Sequence, residues 1–305
     1  MFALLLTLGT TIAAASSLGG RLAVSPTVIG RGQYGAVHKA TLDGRAVVAK
    51  RAAAAVDGAD ADELARRYFE VEAEVNVALA RATPVGFCRF LGCGTADGEQ
   101  HTQREEWLVW ERIGTGAPLF SLADYGGGRA AALQAEHGLA PRSVLRSLLD
   151  RAASLHGLGF VHRDFKPGNV LLDSSSRHTT PDGASTLMLI DMGSCAMVEG
   201  CSLVDTVLGR CTGYDPRSSP CSPLYAPPEL FVDLASPDGA PYAFDVFSIG
   251  VLMLQLLWAS LGSDEQLAGF REELRAAGGE LERWLQVRSR PSIDQVLAAP
   301  SFHPL

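Results

Sequence analysis

Between His162 and Asn169 the chain reads His-Arg-Asp-Phe-Lys-Pro-Gly-Asn, a stretch that puts a carboxylate, an ammonium group and a carboxamide within reach of one another. Phosphoryl transfer uses such groups. It needs positive charge around the nucleotide phosphates, bound magnesium, and a carboxylate that receives and orients the attacking hydroxyl. Asp164 is the candidate for that carboxylate, Lys166 for a cation at the γ-phosphate, and Asn169 for a magnesium ligand. A second magnesium ligand, Asp191, opens Asp191-Met192-Gly193 directly after the apolar run 187–190. Met192 then acts as a hydrophobic plug, at a position that packs rather than reacts.

Upstream, Gly30-Arg31-Gly32-Gln33-Tyr34-Gly35-Ala36-Val37 has the glycine spacing that lets a backbone approach phosphates without interference from Cβ atoms. The same spacing occurs in dinucleotide-binding turns, but those are followed by a helix, whereas here residues 36–40 continue as a strand pattern. Lys50, closing Val47-Val48-Ala49, suits a cation that reaches the α- and β-phosphates from a strand. It needs a carboxylate to orient it, and the Ala- and Glu-rich helical segment 60–81 offers Glu70, Glu72 and Glu74. Glu74 is chosen, because Glu74-Val75-Asn76-Val77-Ala78 sets apolar residues alternately behind a carboxylate; Glu70, on the same face at i, i+4, stays open. The expected catalytic set is Asp164, Lys166, Lys50, Glu74, Asn169 and Asp191. The expected ATP-binding set is Ile29, Gly30, Arg31, Gly32, Gly35, Val37, Ala49, Lys50, Glu111, Ile113, Asn169 and Asp191, with Mg2+ on Asn169 and Asp191.

Residues farther along support these groups. Ser222 stands three residues before Tyr225, where a hydroxyl bridges an aspartate and a lysine of this kind. Asp245, at the entrance of an apolar helix, is placed to brace the backbone of the 162–169 loop. Glu229 in Pro227-Pro228-Glu229 is a carboxylate in need of a cation, with Arg290 as the expected partner. In Trp107-Leu108-Val109-Trp110-Glu111-Arg112-Ile113, Trp110 lines the back of an adenine pocket, and Glu111 and Ile113 offer backbone hydrogen bonds to the base; an ordinary core aromatic is the plainer reading of Trp110.

The elements that must carry these groups follow from periodicity. Residues 27–50 read as strand, glycine turn, strand, turn, strand; two more apolar runs, 87–91 and 107–113, complete a small sheet with one helix. After Gly126-Gly127-Gly128 the pattern turns to long helices. Pro141–Leu155 carries Val144, Leu145, Leu148, Leu149, Ala152 and Leu155 on one expected face, and residues 246–258 are apolar nearly all round, the mark of a helix buried in a lobe. Residues 173–186 form a long polar connection.

With 305 residues, 47% of them hydrophobic, the chain can bury a large core. A net charge of −8 gives no global basic field, so nucleic-acid binding is not expected. Six cysteines without a C-x-x-C pair read as thiols rather than staples, four of them lying between Cys195 and Cys221. Residues 1–18 carry no charge and include the apolar run 2–8, which fits a targeting segment better than a spanning helix; an anchor, or no targeting role, are the alternatives.

Taken together, these motifs resemble the protein kinase superfamily over residues 27–303. Lys166, two residues after Asp164, points within that resemblance to serine or threonine acceptors, and Arg163 favours protein acceptors over small molecules. A narrower likeness rests on Trp107–Trp110, on Gly213-Tyr214-Asp215-Pro216 leading to Leu224–Glu229, and on residues 253–285: these are similar to the thylakoid state-transition kinases of plants and algae. The resemblance implies a two-lobed α+β fold, with an N-lobe of antiparallel sheet plus one helix at about 25–115 and a mainly helical C-lobe at about 116–305. It also implies ATP and Mg2+ between the lobes, a protein substrate, and a chloroplast address with membrane association through residues 1–24. The chain lacks a cysteine pair ahead of its N-terminal apolar run, so redox control through such a pair is not carried over. A kinase-fold scaffold and a small-molecule phosphotransferase remain alternatives, the first disfavoured by Lys50, Asp164, Asn169 and Asp191, the second by Glu229, Asp245 and Arg290.

Overall fold

The structure is a computed structural model that describes residues 18, 20–32, 35–52, 59–97, 106–114, 120–173, 185–198, 221–228 and 241–289. The expectations for residues 1–17, Gln33, Tyr34, Cys201, Cys211, Glu229 and Arg290 lie outside the described residues.

The amino-terminal part is a five-stranded antiparallel sheet in the order β1-β2-β3-β5-β4: β1 Leu22–Gly32, β2 Gly35–Leu42, β3 Arg45–Ala52, β4 Phe90–Thr95 and β5 Glu106–Glu111. Helix α1, Ala59–Ala82, joins β3 to β4. Because side chains alternate along a strand, β3 and β5 feed two separate cores. Val47, Ala49, Trp107 and Val109 pack with Leu22 and Ala40. Leu108 and Trp110 pack with Phe90 and Ala73 of α1, with Val48 against them.

Two boundaries differ from the sequence reading. The sheet starts at Leu22, not near Thr27: Leu22 is buried and pairs with Leu42, and the Leu18 amide donates to the Cys93 carbonyl at 2.9 Å. Leu18 and residues 22–24 therefore pack with the sheet. The fourth strand begins at Phe90 rather than Phe87, because Phe87 bridges to Leu189 and its ring packs in the large core of the other part of the molecule.

That other part is mainly helical. Short strand β6 (Phe120–Ser121) runs into a 3-10 turn at Leu122–Tyr125, followed by α2 (Ala130–His137), α3 (Pro141–Gly157) and β7 (Phe160–Val161). Strands β8 (Val170–Asp173) and β9 (Thr186–Leu189) form a hairpin, and β10 (Ala196–Met197) pairs with β7. Then come α4 (Ala243–Leu257), α5 (Asp264–Ala276) and α6 (Leu281–Ser289). In α3 the buried stripe is Val144, Leu148, Arg151, Ala152 and Leu155, while Leu145 and Leu149 are exposed. The expected face was one residue too wide, since i, i+3/i+4 spacing leaves their neighbours at the water edge. Helix α4 is buried along most of its length, as its apolar composition requires.

Candidate active site

Lys50 lies on the face of β3 that looks toward α1, paired across the sheet with Val37 and Leu108. Its Nζ stands 2.7 Å from Glu72 Oε2 and 2.7 Å from Asp191 Oδ1. Burial by itself lowers an ammonium pKa, but the two carboxylates outweigh it and hold Lys50 above its ordinary value; Asp191, despite its own burial, is held below the usual carboxylate value chiefly by Lys50. The cation therefore stays charged beside Asp191, and it also draws down the Glu72 carboxyl, which burial nonetheless leaves above its ordinary value.

The carboxylate paired with Lys50 is Glu72, which corrects the choice of Glu74. Alternation is a strand criterion; on a helix, neighbours recur at three and four residues. Tyr68, Glu72, Val75, Asn76 and Leu79 make the buried stripe of α1, and Glu74 lies two residues, about 200°, round the helix from Glu72. The Met192 backbone N–H also donates to Glu72. A second correction follows from strand periodicity: Ala49, expected at the nucleotide, is fully buried on the opposite face of β3 from Lys50, and Val48 shares the face of Lys50. Gly35 is required where it stands, for a Cβ there would lie 2.8 Å from the Arg51 carbonyl and 3.1 Å from Lys50 Cε.

The 162–169 loop is held from beneath. Asp245, fully buried at the start of α4, accepts the His162 and Arg163 amides at 2.8 Å each and bonds His156 Nε2 at 2.9 Å. Arg163 thereby keeps a left-handed φ of 68°, which a non-glycine residue adopts only when its surroundings fix it. His162 is also tied to β9's exit, with Nε2 3.3 Å from the Ile190 carbonyl.

Above this base, Asp164 Oδ2 accepts Lys166 Nζ at 2.6 Å and Asn169 Nδ2 at 2.8 Å, while the buried Asp164 Oδ1 has no hydrogen-bond partner among the described residues. Lys166 Nζ also donates to Ser222 Oγ at 3.1 Å, the bridge expected for that serine. With Asn169 Nδ2 committed to Asp164, its Oδ1 is the atom left for a cation. Trp110 is 8% exposed in the core between the sheet and α1, its ring 5.6 Å from that of Phe90. The structure thus brings together Lys50, Asp191, Asp164, Lys166, Asn169 and Ser222.

The "Protein kinase domain" family matches residues 24–276, the span that carries the glycine-rich hairpin, the lysine–carboxylate pair and the Asp-Lys-Asn loop. The chain belongs to the protein kinase family. Curated relatives of this kinase include "Serine/threonine-protein kinase STN8, chloroplastic" of Arabidopsis thaliana, 28% identical across 81% of this chain and 52% of that protein. "Serine/threonine-protein kinase STN7, chloroplastic", from the same plant, is 26% identical across 87% of this chain and 48% of that protein. The kinase thus spans about half the length of these relatives. Among solved structures, a Stt7 homolog from Micromonas algae soaked with ATP superposes with a TM-score of 0.66 at 27% identity, covering 90% of this chain and 81% of that one.

Two supporting residues, Asn76 and Arg271, escaped the sequence reading of the kinase, and Glu72 was named there but passed over for Glu74. Glu72 and Asn76 fall on the inner stripe of α1, which helical spacing reveals. Arg271 of α5 lies over the Phe247 ring at 4.9 Å and donates to the Ala226 carbonyl, just ahead of Pro227-Pro228. No local sequence signal marks that long-range contact.

Proposed function

We propose that the chain is an ATP-dependent serine/threonine kinase that transfers the γ-phosphate to protein hydroxyls. The observation that carries this reading is the state of Asp164: Oδ2 is fixed by Lys166 and Asn169, and the buried Oδ1 has no hydrogen-bond partner among the described residues. A carboxylate fixed in that way can accept the proton of an incoming hydroxyl and aim its oxygen, a contribution of about 10²- to 10⁴-fold. Lys50, kept charged by Glu72 and Asp191, neutralises the α- and β-phosphates, and Lys166 can turn from Asp164 toward the group in flight. Trp110 closes the back of the adenine site, and Glu111 and Ile113 offer the base their backbones.

Magnesium fits the residues present: the part-exposed Asp191 carboxylate and the Asn169 Oδ1 are hard oxygen donors on the phosphate side of Lys50. Among the described residues there is no cluster of three or more His, Cys, Asp or Glu that could hold a metal alone, which accords with an ion that takes its other ligands from phosphates and water. When bound, it supplies charge neutralisation at the β- and γ-phosphates.

On the acceptor side, a cavity of about 400 Å3 opens beside Lys166, lined by Ser222, Tyr225, Gln255 and Asp264 among others. A protein segment presenting serine or threonine can enter there. The chloroplast designation of the relatives supports a chloroplast address, and the narrower likeness to state-transition kinases supports a thylakoid one, with the residues ahead of Leu18, rather than all of 1–24, as the targeting or anchoring segment. Among the described residues no helix is long and apolar enough to cross a membrane.

Labelled ATP, Mg2+ and dephosphorylated casein test the reading. Label should appear on serine or threonine, and Asp164→Ala should lower turnover by about 10³-fold. Transfer to small alcohols alone, or full activity of Asp164→Ala, would overturn it.

A further inference from the structure

Trp110 occupies the last but one position of β5, opposite Val48 and Phe90. Its one polar atom, Nε1, donates to Asn76 Oδ1 at 2.8 Å, and Asn76 Nδ2 donates to the Glu72 carbonyl at 2.7 Å. Asn76 is 4% exposed and Trp110 8%, so water does not readily replace either bond. An indole N–H is a donor only, and a buried one left without an acceptor is unfavourable, as is the amide oxygen it would abandon. Asn76 stands one helical turn beyond Glu72, on the same stripe of α1, and the Glu72 carboxylate holds Lys50 at 2.7 Å. A shift of α1 away from the sheet long enough to part Glu72 from Lys50 therefore also strips the partner from the Trp110 indole.

We propose that the Trp110–Asn76 hydrogen bond is a latch that fixes α1 in the position where Glu72 meets Lys50, making both residues positioning residues for phosphoryl transfer. The proposal rests on the kinase reading above. Packing alone does not require it: a phenylalanine at 110 and a leucine at 76 fill nearly the same space. The latch instead couples the rear wall of the adenine pocket to the Lys50–Glu72 pair, so that the wall and the pair are set together.

The test is the double variant Trp110→Phe/Asn76→Leu, which removes donor and acceptor together and so leaves no orphaned group. Its melting temperature should stay near that of the parent chain. Turnover of casein at saturating ATP should fall about tenfold with the casein KM unchanged, and amides of α1 should exchange with deuterium faster by a similar factor. Added to Glu72→Gln, the double change should lower turnover by less than twofold, because the pair it positions is already lost. Parental turnover and parental α1 protection in the double variant would overturn the latch. So would the same tenfold loss in the Glu72→Gln background, which marks a general packing effect. Should the double variant melt below the assay temperature, Trp110→Phe alone, corrected for its folded fraction, is read by the same criteria. A parent chain without transferase activity sinks the functional reading but not the latch, which hydrogen exchange then decides.

Discussion

Glu72 and Glu74 differ by two positions and by most of what a carboxylate can do. Glu72 is 3% exposed and 2.7 Å from Lys50, whereas Glu74 is half-buried on another side of α1. Glu72→Gln should lower kcat/KM about thirtyfold, equivalent to roughly 2 kcal/mol of a charge-assisted bond, and Glu74→Gln should stay within about twofold. Steady-state kinetics on the two variants decides it; equal losses would mean that both carboxylates serve Lys50. The contrast also shows what was readable. Asp164, Lys166 and Asn169 lie within six positions of one another, and such a loop carries its own geometry in its spacing. The partner of Lys50 comes from a helix, where only the 3.6-residue period identifies the inward face, and alternation picked the wrong carboxylate. Val48 and Ala49 repeat the lesson on a strand, where a one-residue error exchanges the two faces. Arg271 could not be read at all, since its contact with Ala226 spans 45 positions.

At the scale of elements, α1 belongs to two cores. Ala73 packs under the sheet, and Val75 and Leu79 join the large core of the helical part. The turn that follows α1 is correspondingly pinned: the Leu189 amide donates to the Gly86 carbonyl at 2.8 Å, and the half-turn at Gly86 lies against Arg151 of α3. Gly86 has φ +88°, and a Cβ there would come within 1.6 Å of Arg151 Nε. Gly86→Ala should therefore destabilise the chain by about 3 kcal/mol through backbone strain and crowding. Gly157→Ala is the matched control: nothing lies within 4 Å of its Cβ, and it should be neutral or slightly stabilising. Urea midpoints for the two variants make the comparison, and an unchanged midpoint for Gly86→Ala would mean that this turn is not an anchor. Strand and helix identities were visible in the periodicity of α1, α3 and α4. The start of β4 was not, because Phe87 is apolar like a strand residue but turns to the other core.

Across the whole molecule, the contact of Lys50 in the sheet with Asp191 after β9 joins the two parts at the site itself, and its charges set a pH dependence whose sign can be worked out. Lys50 is raised above its ordinary value, so its contribution is complete below about pH 10.4 and is lost only as pH climbs through the higher folded value. Asp191 is depressed, so its contribution is complete above about pH 3.9 and is lost as pH falls through the lower folded value. From about pH 5 to 9 the pair should therefore leave stability level. Lys50→Met reverses the acid side: Glu72 and Asp191 face each other without a cation, their carboxyls rise, and one takes up a proton in mild acid. The variant should be less stable than the parent by roughly 2 kcal/mol at pH 8, a figure discounted because Asp191 is about a third exposed. That gap should narrow steadily between about pH 7 and 4.5 as the uncompensated repulsion is protonated away. Urea unfolding of both chains at pH 8, 6 and 4.5 measures it. A gap that stays constant, or widens in acid, would show that Lys50 does not hold these carboxylates in their charged form, and the electrostatic account of the site would fall with it.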